Sequence, residues 1–415
     1  MSDPPGTAAR RAAMRLLDAV LRKGLALEAA LDVAARDLDR ADDRGFAHAI
    51  AAEALRRLPD LDALIDSATK KPLPDDAKAR MALRIALVQA LAMGTPPHAA
   101  IATVLPLVEA GPRRLLHGVF GTLMRQGTAL PEVPTLPSRI GERWERHWGA
   151  SVADAAARLL AVPPPLDLCF APGAGPEGVE GVSLMPGHLR VPARTAVAGL
   201  TGYGEGSPGR WWVQDVAASI PARLLGPGEG RTALDLCAAP GGKTMQLAAA
   251  GFAVTAVDAS QSRLGRLCEN LARTGLSAAI VAADLLEWEP KAPVDAILLD
   301  APCSATGIYR RHPEVLHRLR LRTLGELAEA QKAMLARAAR WLKPGGTLIY
   351  SVCSLEPEEG EQVAATAAGL ALDPVRPGEL PDAIPLRDGF VRTLPGLWLE
   401  EGGADGFFVA RFTAT

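Results

Sequence analysis

Residues 295–313 read DAILLDAPCSATGIYRRHP. Ala296–Leu299 is an apolar run too short for a helix, and it is flanked as a buried parallel strand is flanked. It ends on Asp300. Ala301-Pro302-Cys303 then stops the strand, because proline has no N–H to continue the ladder. In an open α/β sheet, ligands bind just past the carboxyl ends of the strands. Asp300 and Cys303 are therefore expected at such a tip, a carboxylate and a thiol facing a planar, polar substrate. Arg310, Arg311, Arg318, Arg320 and Arg322 follow closely, which suggests that the substrate carries phosphates.

On either side of this stretch strands and helices alternate. TALDLC (232–237), AVTAVD (253–258), AAIVAAD (278–284), AILLD (296–300) and GTLIYSVCS (346–354) are strand candidates. Gln261–Arg273 and Leu324–Trp341 are helical between them, and Phe407–Ala414 is a late strand. The succession predicts a doubly wound, mainly parallel sheet, a Rossmann-like α/β domain over 211–415. Upstream, Ala8 to Gln126 reads as helices throughout. Ala12, Leu16, Leu17, Val20 and Leu21 recur at helical spacing, as do Phe46, Ile50, Ala54 and Leu58, and Met81, Ile85, Val88 and Ala92. Pro59, Pro72, Pro74, Pro96 and Pro97 break the run. Residues 1–130 thus form an all-α domain and the proline-rich 131–137 a linker. Residues 138–210 read as a small α+β subdomain, helical around Arg139–Leu160 with short strand-like pieces after it.

The chain has 415 residues, enough for two or three domains, and no apolar run long enough to span a membrane. The N-terminal stretch lacks a signal-peptide core. Five cysteines show neither CxxC spacing nor histidine partners, so disulfides and a structural metal are not expected and a reducing cytoplasm fits. The formal charge of −2 hides a small basic surplus in residues 1–130, a weak pointer to RNA. Nothing calls for a second copy, and a monomer is the expectation.

Leu234–Thr244, LDLCAAPGGKT, joins the first strand of the α/β domain to its helix. Gly241 and Gly242 let the backbone approach a ligand, and the helix N-terminus offers free N–H groups. The spacing is not GxGxxG, and GGKT lacks the earlier glycine of a phosphate-binding loop. Asp258 ends the second strand, where a carboxylate can hold both hydroxyls of an adenosyl ribose. Asp284 ends the third and can accept from an adenine amino group. A glycine loop with acids at successive strand tips suits S-adenosyl-L-methionine, which has no phosphate to cradle. The candidate cofactor residues are Cys237, Ala238, Ala239, Pro240, Gly241, Gly242, Lys243, Asp258, Asp284 and Asp300. Each aspartate alone also reads as a helix N-cap. Cys237 would contribute mainly its backbone. Cys268 shares a helical face with Leu264 and Leu271 and is expected in the core, and Cys169 has no motif around it.

LDLCAAPGGKT, VDAS (257–260), LLDAPCSATGIYRRHPE (298–314) and YSVCSLEPEEGE (350–361) resemble, in order, the successive motifs of the NOL1/NOP2/Sun family of RNA cytosine-5 methyltransferases. RRAAMRLLDAVL (10–21), LDALIDSATKKPL (61–73) and PPHAAI (96–101) resemble the NusB-like helical fold, whose members bind RNA or protein partners. The resemblance implies a class I S-adenosylmethionine-dependent methyltransferase acting on an unpaired or flipped cytosine, most naturally in small-subunit ribosomal RNA. It further implies that Cys353 is the nucleophile and Cys303 the second thiol, which helps strip the carbon-5 proton. Asp300 would hydrogen-bond the cytosine edge, and the charge of Lys243 would favour thiolate at Cys353. Two thiols have a chemical reason. Carbon-5 of cytosine is too electron-poor to attack a methyl sulfonium until a thiolate adds to carbon-6.

Five positions in three places depart from the family pattern. Val352 stands where threonine is usual, Gly360 where asparagine is, and Cys169-Phe170-Ala171 where Arg-Val-Asn is. The last removes an expected RNA contact. A transfer RNA cytosine-5 methyltransferase is the nearest alternative, and a catalytically idle RNA-binding or assembly factor the alternative from another class.

Overall fold

The computed structural model describes residues 4–175, 178–193, 195–203 and 210–415. It divides into two units, Met1–Val162 with Tyr309–Leu319, and Pro163–Ile308 with Arg320–Thr415. The expected subdomain at 138–210 is divided by that boundary, and parts of it lie outside the described residues.

The first unit is helical: α1 (Thr7–Leu21), α2 (Leu27–Ala34), α3 (Ala41–Arg56), α4 (Leu58–Ser67), α5 (Lys78–Leu91), α6 (Pro97–Val104), α7 (Ala110–Arg125), α8 (Ser138–Trp148) and α9 (Ala150–Ala161). Helix α1 buries the stripe Ala9, Ala12, Ala13, Leu16, Leu17 and Val20, the spacing of one amphipathic face. Helix α5 is buried nearly all round and packs against α1, α3, α4, α6 and α7. Its buried arginines keep their charge satisfied. The Arg84 fork donates to both carboxylate oxygens of Asp62 at 2.8 Å, and Arg80 pairs with Asp62 and Asp66. The proline-rich segment is pinned: Arg57 Nη1 donates to Pro131 O at 2.7 Å, and Thr135 N donates to Asp60 Oδ2 at 3.2 Å.

Tyr309–Leu319 belongs to this unit too. Arg310 is fully buried, and its carbonyl accepts from Arg56 Nη2 at 2.7 Å. The Tyr309 ring lies 5.3 Å from that of Trp144. Leu27 N donates to Glu314 Oε1, His317 Nε2 meets Leu55 O at 2.8 Å, and Arg318 Nε donates to Gly24 O at 2.8 Å. Of the five arginines read as phosphate ligands, Arg310 is thus buried and the Arg318 Nε is spent on a carbonyl of the helical unit. Arg320 and Arg322 are exposed, and Arg322 pairs with Glu326 one helical turn on.

In the second unit, β1 (Leu166–Phe170), β2 (His188–Val191) and β3 (Trp211–Val213) form a small antiparallel sheet in the order β2-β1-β3. Cys169 is buried in β1, with no basic side chain in the place where the family has arginine. After the short α10 (Ile220–Arg223) come β4 (Thr232–Leu236), α11 (Gly242–Ala249), β5 (Ala253–Asp258), α12 (Gln261–Thr274), β6 (Ala279–Ala282) and β7 (Val294–Asp300). The one-turn α13 (Val315–Arg318) lies in the segment given to the first unit. Then follow α14 (Leu321–Ala339), β8 (Leu342–Val352), α15 (Glu361–Ala364), β9 (Leu370–Leu372), β10 (Leu386–Arg387), β11 (Phe390–Thr393) and β12 (Phe407–Ala414).

Among the described residues these strands make one mixed sheet, β10-β11-β12-β8-β7-β4-β5-β6, with β9 pairing β12. The run β8-β7-β4-β5-β6 is parallel, and β9 to β12 are added antiparallel. Ala296, Ile297, Leu298 and Leu299 are all fully buried, as a central parallel strand with both faces covered requires. Helix α12 corrects one expectation. Its buried stripe is Leu264, Leu267, Leu271 and Thr274, and Cys268 is exposed, one position past Leu267.

Candidate functional site

Parallel register brings the strand tips to one level. Leu236 lies opposite Val257 and Leu299, and Asp300 opposite Ser351. Cys237, Asp258, Asp300 and Cys353 therefore all leave the sheet at its carboxyl edge. Asp284 follows two residues beyond Ala282, the partner of Asp258.

The loop after β4 turns sharply. Cys237 takes a positive φ of 62°, unusual for a side-chain-bearing residue, and Gly241 has φ 105°. A Cβ on Gly241 would sit 2.8 Å from Leu267 Cγ, so the loop can press on α12 only with glycine there. Helix α11 starts at Gly242 with no side-chain cap. Asp258 organises the loop: its Oδ2 accepts from Ala239 N at 3.1 Å and its Oδ1 from Ser260 N at 2.8 Å. Ser260, not Asp258, caps α12. Asp284 is exposed and its Oδ1 accepts from Leu286 N at 2.8 Å. Both carboxylates keep acceptor capacity beyond these bonds. Burial, then the negative charges of Asp300, Asp258 and Asp235, push the Cys237 thiol far above its ordinary range.

At the tip of β7, Asp300 Oδ2 accepts from Lys243 Nζ at 2.7 Å and Oδ1 accepts from Ser351 Oγ at 2.8 Å. Burial alone would lower the Lys243 pKa, but Asp300 first and Cys353 after it raise it, so the ammonium is kept. Its direct ion pair is with Asp300 rather than with a sulfur.

The two cysteine loops meet. Cys303 Sγ and Cys353 Sγ are 3.5 Å apart and both residues are half-buried. The contact with Cys353, then burial, then the charges of Cys353 and Glu359 hold the Cys303 thiol well above its ordinary range. Around the sulfurs the loops are zipped together. Gly307 N donates to Cys353 O at 3.0 Å and Leu355 N to Thr306 Oγ1 at 3.0 Å. Glu359, fully buried, accepts from Ser304 N at 2.8 Å, from Ser304 Oγ and Ser354 Oγ at 2.5 Å, and from Gln331 Nε2 at 3.1 Å. Burial raises its pKa, opposed by these donors.

Glu359 and Arg392 are the residues that the sequence reading left without a role. The only local signal was an acidic stretch, Glu356 to Glu361, that begins three residues after Cys353. At Gly360, a Cβ would collide with Nη2 of Arg392 and come within 2.9 Å of Phe408, so the guanidinium takes up the space beside this glycine. Among the described residues no cluster of three or more histidine, cysteine or acidic side chains could hold a metal, and no helix is long and apolar enough to cross a membrane.

Comparison with known proteins gives a consistent picture. Residues 222–413 match the family described as 16S rRNA methyltransferase RsmB/F, and residues 7–113 match the NusB family. A ribosomal RNA small subunit methyltransferase B from Xylella fastidiosa is 34% identical, over 99% of this chain and 98% of that protein. One from Klebsiella pneumoniae is 31% identical over 97% of each. Among solved structures, the crystal structure of PH0851 is similar in fold, with a TM-score of 0.72 at 23% identity over 99% of both chains.

Proposed function

The chain belongs to the 16S rRNA methyltransferase RsmB/F family, and from that premise we propose that it methylates carbon-5 of a cytosine in RNA, with small-subunit ribosomal RNA as the substrate. The observation that carries the chemistry is the pair of sulfurs 3.5 Å apart beside the Asp300–Lys243 ion pair.

The tips of β4, β5 and β6 fit S-adenosyl-L-methionine. Free N–H groups at the start of α11 suit its carboxylate, Asp258 its ribose hydroxyls and Asp284 its adenine amino group. Residues 237–243 supply the backbone cradle and Asp300 its far wall. When bound, the cofactor supplies an electrophilic methyl group. Cys353, as thiolate, adds to carbon-6 of the pyrimidine, and the displaced π electrons make carbon-5 nucleophilic. Asp300, its orientation held by Lys243 and Ser351, accepts from the 4-amino group on the Watson–Crick edge and so holds the ring in register with the Cys353 sulfur. After methylation Cys303, having first given up its own proton to solvent, takes the carbon-5 proton as a thiolate. The electrons of that C–H bond restore the ring double bond and expel the Cys353 sulfur.

Bisulfite mapping of small-subunit ribosomal RNA with and without this gene tests the substrate. One cytosine should lose its 5-methyl mark in the deletion. An unchanged ribosomal map with a lost mark in transfer RNA would reassign the substrate.

A further inference from the structure

Two-thiol chemistry gives the buried carboxylate of Glu359 no part. Glu359 is fully buried, and burying a carboxylate is costly unless donors surround it. Its donors are not scattered. Three of the four bonds come from Ser304 and Ser354, the residues immediately after the two cysteines, and the fourth from Gln331, which also donates to Pro302 O beside Cys303. One side chain thus ties together two loops that arrive on different strands. The glutamate is itself held, since its carbonyl accepts from Tyr350 Oη at 2.5 Å.

A second charge grips the nucleophile's loop from the other side. Arg392 Nη1 donates to Ser354 O at 2.6 Å, and its Nε and Nη2 donate to Glu361 at 3.0 and 2.5 Å. Arg392 pairs with Phe408, and Phe408 with Val352, so a row across three strands ends one residue before Cys353. The antiparallel strands β11 and β12 carry this support.

We propose that Glu359, assisted by Arg392, is a positioning residue of the methyl-transfer site: it sets the separation of the Cys303 and Cys353 sulfurs by holding Ser304 and Ser354 on one carboxylate. The proposal rests on the two-thiol reading above. Glutamine at 359 keeps the shape but replaces one acceptor oxygen by a donor, so one set of bonds is lost and the loops loosen.

The test uses the full chain as wild type, Glu359→Gln, Glu359→Ala and Arg392→Lys. One arm needs no RNA. Diamide oxidises the thiol pair to a disulfide, its N=N bond taking up the two hydrogens, and mass spectrometry follows the Cys303–Cys353 linkage with time. Wild type should link fastest, Arg392→Lys and Glu359→Gln more slowly, and Glu359→Ala slowest. In the second arm, with S-adenosylmethionine and a small-subunit ribosomal RNA transcript, kcat of Glu359→Gln should fall about 100-fold with KM for both substrates little changed, the usual consequence of a reacting group displaced by about 1 Å. S-adenosylmethionine affinity, read by calorimetry, should be unaltered in both Glu359 variants. Equal cross-linking rates in all four proteins would overturn the proposal, as would loss of cofactor binding in Glu359→Gln, which would make the residue a general structural one. If wild type shows no cytosine-5 transfer, the two-thiol reading fails by itself, and the cross-linking arm still decides whether Glu359 sets the sulfur separation.

Discussion

Two halves of one sequence stretch behave in opposite ways. Residues 295–308 carry little charge and contribute Asp300 and Cys303 to a strand tip where Lys243, Ser351 and Cys353 converge on them. Residues 309–319 carry the conspicuous charge, yet Arg310 is buried and Arg318 caps a carbonyl within the helical unit. A proline-terminated apolar run specifies where a side chain will stand, because strand geometry is rigid and ligands gather at strand ends. A run of arginines specifies only that N–H donors must be satisfied, and a backbone carbonyl inside the fold can take one of them up. Spacing therefore says more than charge about where the chemistry lies.

The largest way to break this contrast lies in the first half. Asp300→Asn leaves Lys243 without its counter-ion and removes charge from the reacting edge, and kcat should drop by about 1,000-fold, as for loss of a preorganised electrostatic partner. Single-turnover methyl transfer measures it. A smaller drop than that for an arginine in 309–319 would reverse the ranking.

Next in size is a buried carboxyl that lacks what Glu359 has. Asp235 in β4 is fully buried; Thr244 Oγ1 donates to its Oδ2, while its Oδ1 has no hydrogen-bond partner among the described residues. Burial pushes its pKa up to about 7, the charges of Asp300 and Asp258 adding to the effect against Thr244 and Lys243. The folded state then holds a proton that the unfolded chain, with its carboxyl near the ordinary value of about 4, releases. This stability is present in full below about pH 4 and is lost as pH rises to about 7, by the linkage of proton binding to folding. Asp235→Asn should flatten that dependence, gaining on the order of 3 kcal/mol relative to wild type at neutral pH. Urea unfolding at about pH 5 and about pH 8 checks the sign.

In the second half, Arg318→Ala should cost about 1 kcal/mol of stability, the worth of one hydrogen bond. It should leave the salt dependence of RNA binding unchanged, because a guanidinium spent on Gly24 O releases no counterions. Arg320→Ala, at an exposed position, is the control that should shallow that dependence if phosphates lie there. Smallest of all, Cys268→Ala should change stability by no more than about 0.5 kcal/mol, since the residue is exposed on α12. Thermal melting suffices for it.

The strands of the α/β unit were legible because each is a short apolar run closed by glycine, proline or an acid. All five parallel strands lie where those runs predict them, within a few residues at their ends. The convergence of Asp300, Cys303 and Cys353 could also be read, since each stands at or within three residues of the end of a strand. Cys268 could not be placed, because positions four and seven residues along a helix share a broad face and only packing selects Leu267. The bounds of the helical unit were hidden for a similar reason. Nothing local marks Tyr309–Leu319 as belonging with α1 to α9, because its bonds reach residues more than 250 positions away. Glu359 and Arg392 were illegible as functional residues because their meaning lies in two loops and a three-strand row that no local pattern encodes.

The central claim is that the sulfur of Cys353 bonds to the pyrimidine and that Cys303 releases it. The most direct measurement incubates Cys303→Ala with S-adenosylmethionine and small-subunit ribosomal RNA, then resolves the mixture on a denaturing gel and maps the linked peptide by mass spectrometry. A stable RNA–protein band with the nucleotide attached at Cys353 is the expected result. Full turnover without such a band, or attachment at another residue, would contradict it.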